Sequence, residues 1–197
     1  MRGQFSTLLL VSALAITTLT AQSRAQKTAD NPEPATQFDL AFTFNAASAN
    51  QVGGSRFWMT GAGMQAHDRF YGGWGAVADI AGLHKANINS SGVGLDMVTT
   101  VFGPRYTWSP NHHRFSFYGQ GLVGEVFAFN TLLPMTPYPI HSDSGLAVLA
   151  GGGMNLRATP HVGVRVFEAD YLRTQLLNTT TNAQNSLRAG AGIMFRF

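Results

Sequence analysis

Charged side chains that alternate with apolar residues could form ion pairs inside a fold. There are ten of them: Asp39, Asp79, Arg105, Glu125, Arg157, Arg165, Glu168, Asp170, Arg188 and Arg196. Guanidinium and carboxylate groups that leave water must pair with one another, because an unpaired buried charge is heavily penalised. We therefore predict that these residues form a charge network in the interior of the protein.

Two other groups of polar residues could carry chemistry. The segment 141–144 reads His-Ser-Asp-Ser, and a histidine base oriented by an acid can activate a hydroxyl nucleophile. Neighbouring residues of a loop do not by themselves have that geometry. His112 and His113 are adjacent, but a stable metal site takes three or four arranged ligands. We predict no catalytic residue, no metal site and no cofactor.

The first residues have the layout of a secretory signal peptide. Arg2 precedes an apolar run over 8–19, and Ser23 and Ala25 are small residues of the kind that signal peptidase accepts. A membrane-spanning helix takes about 20 apolar residues, which is more than this run contains. We predict that residues 1–25 are cleaved off after Ala25 and that the polar, proline-containing segment 26–37 is a disordered leader.

Composition restricts the classes of function. The chain contains no cysteine, which excludes disulfides, thiolate metal sites and a lipidated N-terminal cysteine. Its 13 basic residues fall to 11 when Arg2 and Arg24 leave with the signal peptide, against 10 acidic residues. This small excess does not indicate a nucleic-acid partner.

From residue 38 onward the sequence alternates with a period of two, which predicts strands with one apolar and one polar face. The segments are 38–45, 56–67, 71–83, 93–108, 114–130, 145–158, 162–176 and 187–197. No later segment is long and apolar enough to span a membrane as a helix, so any crossing must use strands. We predict an all-β fold, an eight-stranded antiparallel transmembrane β-barrel over 38–197 with its apolar faces toward lipid.

The connections between these segments alternate in length. The segments 45–55, 84–92, 131–144 and 177–185 are long, and 67–69, 109–113 and 159–161 are short. Outer-membrane barrels have short periplasmic turns, longer outer loops and both chain ends in the periplasm. The periplasmic strand ends then carry a predicted interfacial girdle of aromatic residues, formed by Phe38, Tyr71, Trp74, Tyr106, Trp108, Tyr118, Phe195 and Phe197.

Two segments do not keep one register. In 114–130, Glu125 shares its parity with the phenylalanines, so the acid and the aromatic rings cannot all take their expected faces. In 162–176, Glu168 and Asp170 fall on the face of the valines. Either a β-bulge near Phe167 returns them to the interior, or they lie above the lipid. The cost of an acid in hydrocarbon favours the bulge.

With these segments in place, the chain resembles the OmpA-like, porin-superfamily group of small outer-membrane β-barrels over 38–197. The resemblance rests on Phe-Gly-Pro-Arg-Tyr at 102–106, Gly-Gly-Gly-Met-Asn at 151–155, Val164-Arg165 followed by Asp170-Tyr171, and the ending Gly-Ile-Met-Phe-Arg-Phe at 192–197. It implies a location in the outer membrane among its lipids. Phe195 and Phe197 resemble the signal that the barrel-assembly machinery recognises, which implies that machinery and periplasmic chaperones as partners.

We predict an integral outer-membrane protein with a structural, surface-contact or narrow-pore role and no catalysis. Eight strands leave an interior that side chains just fill, which favours a closed barrel over a pore. Two alternatives stay open. One is a lipid A-modifying enzyme that uses His141, and the other is a soluble periplasmic barrel whose apolar faces surround a ligand.

Overall fold

The computed structural model describes residues 37–50, 56–88, 94–110, 114–133, 140–177 and 182–197. The predicted signal peptide and the leader up to residue 36 lie outside these residues. The described residues form eight strands: β1 (Gln37–Asn50), β2 (Arg56–Tyr71), β3 (Trp74–Lys85), β4 (Leu95–Trp108), β5 (Phe115–Leu133), β6 (Ile140–Arg157), β7 (Val162–Thr174) and β8 (Gln184–Arg196).

The strands close into a barrel in which each pairs antiparallel with its neighbours in the chain and β1 pairs with β8. Phe42 of β1 lies opposite Met64 of β2 on one side and Ile193 of β8 on the other. Closure leaves no strand edge with unpaired backbone groups. The predicted eight-stranded antiparallel fold is confirmed. We call the end where β1 begins and β8 ends the termini end, and the opposite end the far end.

The large apolar side chains lie on the outside. In β3, buried and exposed residues alternate without exception from Trp74 to Ala81. The three tryptophans, Trp58, Trp74 and Trp108, are 59%, 50% and 56% exposed on the outer face. Among the described residues there is no helix of the length and apolarity that crossing a membrane requires.

Several predicted connections are shorter in the structure. β1 continues to Asn50, which pairs with Arg56, and β6 begins at Ile140. The segments that looked like polar loops are strand extensions, because ladder hydrogen bonds depend on backbone and tolerate polar side chains. Gln37, placed in the leader by the sequence, is the first residue of β1.

The turn between β2 and β3 lies elsewhere than predicted. Residues 67–69 remain in β2, and the chain reverses at Gly72 and Gly73 between the paired residues Tyr71 and Trp74. Both glycines have positive φ, 52° and 94°. A two-residue hairpin of this type needs that conformation at both positions, which glycine adopts without strain.

The predicted bulge in β7 is confirmed. The pairing of β7 with β8 shifts register between Arg165 and Glu168. Val166 and Phe167, which are consecutive, are both exposed on the outer face, 41% and 48%. The extra residue returns Glu168 and Asp170 to the interior.

Candidate functional site: the barrel interior

Arg188 of β8 contacts three carboxylates inside the barrel. Its Nη1 and Nη2 atoms donate to the two oxygens of Asp79 at 3.0 and 2.9 Å. Nε and Nη2 donate to Oδ2 of Asp170 at 3.2 and 2.9 Å, and Nη2 lies 3.4 Å from Oε1 of Glu168. Bidentate pairs of this kind are the strong, directional form of a charge-assisted hydrogen bond.

Arg165 of β7 and Arg105 of β4 extend this network. Nη1 of Arg165 lies 2.8 Å from Oε2 of Glu168. Both arginines donate to the side-chain oxygen of Gln65. The amide nitrogen of Gln65 donates to Asp79 at 2.6 Å and to Glu168 at 3.0 Å. This neutral amide therefore bridges guanidinium groups on one side and carboxylates on the other.

Tyr118 also belongs to the network, and its predicted place in the aromatic girdle is wrong. Its ring is 6% exposed, with the guanidinium carbons of Arg105 and Arg165 at 4.2 and 5.0 Å from the ring centroid. Its hydroxyl donates to Glu168. A cation over an aromatic face is attracted by the ring quadrupole. The sequence does contain a sign of this interior position. Tyr118 is two residues from Gln120 and therefore shares its strand face, opposite to the face of the phenylalanines nearby.

The buried part of the network is electrically balanced. Three arginines and three carboxylates lie together, each at most 2% exposed: Arg105, Arg165, Arg188, Asp79, Glu168 and Asp170. These are six of the ten residues that the sequence assigned to the interior. The cost of burying charge is large, and mutual pairing with additional hydrogen bonds is what offsets it.

Toward the far end the interior is mostly apolar. A continuous cluster of buried residues extends into it from the level of Val77, which pairs with His67 of β2: Ala47, Ala49, Phe57, Met59, Val77, Leu83, Ile88, Leu95, Met97, Val101, Leu122, Val126, Ala128, Ala147, Leu149, Leu172 and Leu176. Met59, Leu149 and Leu172 are 0% exposed. The expectation of a polar inner face is wrong for this part, because a lumen that side chains fill has no need of groups that face water.

At the termini end the interior opens into a cavity that we call the basic mouth, formed by Asp39, His67, Arg69, Arg114, Arg157 and Arg196. Nε of Arg196 lies 3.6 Å from Oδ1 of Asp39, and Nδ1 of His67 lies 3.4 Å from its Oδ2. Arg157 is exposed. The structure thus places Asp39, Arg157 and Arg196 at the mouth, apart from the buried network.

Glu125 faces outward, and its predicted place in the interior is wrong. It lies on the same strand face as Val123 and Phe127, which are 45% and 42% exposed, whereas Val126 on the other face is fully buried. β5 pairs with β6 without a register shift from Phe115 to Phe129, so no bulge turns the acid inward. The uninterrupted alternation of β5 therefore places Glu125 on the outer face of the sheet.

Two further groups of residues were candidates for chemistry: the segment 141–144 and the adjacent pair His112 and His113. His112, His113 and the side chain of His141 lie outside the described part of the protein. Asp143 accepts a hydrogen bond from the backbone nitrogen of Leu177 at 2.7 Å. The described residues contain no cluster of three or more histidine or acidic side chains that could hold a metal ion.

Solved structures of small outer-membrane barrels share this fold. Ail, the attachment invasion locus protein of Yersinia pestis, is 16% identical with a TM-score of 0.57, and the match covers 82% of this chain and 99% of Ail. Another Ail structure is a complex with the heparin analogue sucrose octasulfate. Neisserial surface protein A is 18% identical with a TM-score of 0.59, covering 81% of this chain and 97% of that one. No protein-family model and no curated protein sequence matches the chain.

Proposed function

We propose that this protein is a non-conducting integral protein of the bacterial outer membrane that acts in surface contact through its far end. The observation that carries the proposal is the division of its side chains. Large apolar groups cover the outside of a closed barrel, and the inside holds a neutral charge network and an apolar cluster. Such an exterior is suited to hydrocarbon and such an interior to the exclusion of water.

Aromatic pairs support a membrane boundary at the termini end. The rings of Trp74 and Tyr106 are 5.2 Å apart, and those of Trp108 and Phe117 are 5.9 Å apart. Phe197 lies 6.0 Å from a phenylalanine of β1. Aromatic residues concentrate at the membrane–water interface, where an apolar body and a polar edge both find a suitable environment. In this orientation the termini end faces the periplasm.

The same division of side chains favours this proposal over the inverted arrangement of a soluble ligand-binding barrel. That alternative requires apolar faces around a ligand and polar faces toward water. Phe44, Phe102 and Ile193 are instead 64%, 65% and 52% exposed on the outside, and Arg165 and Arg188 are 1% exposed inside.

We propose that two successive barriers in the barrel interior prevent ions from passing. An ion entering from the termini end meets the guanidinium and carboxylate groups around Arg188, which are bonded to one another. Beyond them lie Leu149 and Leu172, which are fully buried, and apolar side chains of this kind cannot replace the hydration shell of an ion. What remains available for function is the exposed far end, where Arg56, Arg173 and Ser144 are accessible.

Export and assembly complete the proposal. We propose removal of residues 1–25 by signal peptidase, recognition of Phe195 and Phe197 by the barrel-assembly machinery after delivery by periplasmic chaperones, and contact with outer-membrane lipids. No catalytic step is assigned to the protein.

Two measurements test the proposal. Carbonate extraction of membranes is expected to leave the protein in the pellet, because the outer face is apolar; its release into the wash would contradict the membrane location. Planar bilayers containing the refolded barrel are expected to show no channel openings, with a known porin as positive control. Sustained openings would contradict the closed interior.

A further inference from the structure

We infer that the basic mouth is a binding site for a phosphate group. The buried network balances its own charges, so it leaves nothing to neutralise the mouth. Outside that network the mouth carries four arginines and one carboxylate: Arg69, Arg114, Arg157, Arg196 and Asp39. The inference rests on the proposed function only for the side of the membrane to which the mouth opens, the periplasm.

Most of these arginines have no anionic partner among the described residues. The backbone nitrogen of Arg157 donates to the backbone oxygen of Arg114 at 2.8 Å, so the two residues are side by side. Within the described ranges, no carboxylate lies at ion-pair distance from either of them or from Arg69. The side chain of Arg69 donates to the neutral amide of Gln37. A cleft lined by one sign of charge attracts and concentrates ions of the other sign.

Buried polar atoms also face this cavity without a partner. They are Nε2 of His67, which is 4% exposed, Nε of Arg196, which is 9% exposed, and Oδ1 of Asp39. The imidazole of His67 can lie against the backbone of β3 because Gly75 has no side chain; a Cβ at that position would lie 2.5 Å from Nε2. Buried polar groups nearly always find a hydrogen-bond partner. A phosphate bound in the cavity, with oxygens that accept and a P–OH group that donates, would supply such partners.

Phosphate fits these groups better than a carboxylate does. Guanidinium groups bind phosphate oxygens in a bidentate fork, and a dianion matches an excess of positive charge that a monoanion would leave largely uncompensated. A P–OH group can donate to Nε2 of a neutral His67, and a phosphate oxygen can accept from it when the imidazole is protonated. The cavity is partly open to solvent, so the rest of a larger ligand can remain outside.

The test is a calorimetric titration of inorganic phosphate into the full chain folded in octyl glucoside micelles. We expect saturable binding of one phosphate per barrel. The variant Arg114→Gln/Arg157→Gln is expected to bind at least about tenfold more weakly, since charged hydrogen bonds are lost. The matched control Arg56→Gln/Arg173→Gln removes the same charge from exposed positions at the far end and is expected to bind as the wild type does.

The source of the phosphate is distinguished by repeating the titration in phosphatidylglycerol nanodiscs. Loss of binding there assigns the site to a lipid headgroup, and unchanged binding assigns it to a soluble phosphate compound. A barrel that is folded by its heat-modifiable electrophoretic mobility, yet shows no saturable binding up to about 10 mM phosphate, would overturn the inference. So would an equal loss in the control variant. Neither result bears on membrane insertion or conductance, which the measurements above test separately.

Discussion

Replacing Arg188 by methionine removes the central cation of the network while keeping a side chain of similar length. Asp79 has no other cation within ion-pair distance among the described side chains, and it would keep one hydrogen bond, from Gln65 at 2.6 Å. Asp170 would keep one from Gln120 at 3.1 Å. The buried network would then contain three carboxylates and two guanidinium groups.

Removing one partner of a buried ion pair destabilises a protein by about 3–5 kcal/mol, because the other charge is left buried without compensation. Arg188 bonds both oxygens of Asp79 and also Asp170 and Glu168, so the loss affects three carboxylates. The hydrogen bonds that remain place the expected cost of Arg188→Met near the lower value, about 3 kcal/mol. This corresponds to a change of about 100-fold or more in the folding equilibrium.

The assay is equilibrium urea unfolding of the barrel in phosphatidylcholine vesicles, followed by tryptophan fluorescence. Trp58, Trp74 and Trp108 lie on the outer face, so their emission reports the transfer from lipid to water. The control is Arg173→Met, an exposed residue at the far end whose replacement should change the free energy of unfolding by less than about 0.5 kcal/mol.

A double-mutant cycle with Asp79→Asn separates pairing from other effects. Asparagine removes the charge that Arg188→Met leaves uncompensated, so the double variant should lose less than the sum of the single variants, by about 1–3 kcal/mol. Additive losses, or a cost of Arg188→Met below about 1 kcal/mol, would refute the reasoning that these charges depend on one another.

Three further changes have defined outcomes. Gly151→Ala should destabilise the barrel by about 1–3 kcal/mol in the same urea assay, because its Cβ would lie 2.6 Å from Cα of Asp170; Gly121→Ala, which meets nothing within 4 Å, should be neutral. Glu125→Leu should stabilise the barrel in vesicles by up to about 1 kcal/mol, because an acid leaves the outer face; a loss of stability would contradict its placement. Phe197→Ser should reduce folded protein in cell envelopes, measured by heat-modifiable mobility, without preventing refolding into detergent.

The architecture was predictable where one strand face is apolar and the other is polar or small. In β8, Leu187 and Ile193 alternate with Arg188 and Arg196, and the structure keeps that parity throughout. The bulge in β7 was predictable as well, because the high cost of facing hydrocarbon restricts where Glu168 can lie.

The parts of the fold and of the charge network that could not be predicted depend on contacts between residues distant in the sequence. In β5, Leu122 and Val126 face inward while Val123 faces outward, so apolar residues occupy both faces and the period-two signal disappears. Glu125 was misplaced because its charge was given more weight than the parity that it shares with the phenylalanines of the same strand. The role of Gln65 as a bridge could not be predicted either, because it is set by partners on strands β3, β4 and β7.

Strand β3 can show whether the apolar sides of the strands face hydrocarbon. The chain has no cysteine, so a single spin label can be placed in turn at Ala76, Val77, Ala78, Ile80 and Ala81 in lipid vesicles. We predict high oxygen accessibility at Ala76, Ala78 and Ile80, and low accessibility with restricted motion at Val77 and Ala81. Equal accessibility along the strand, or the opposite alternation, would contradict the account.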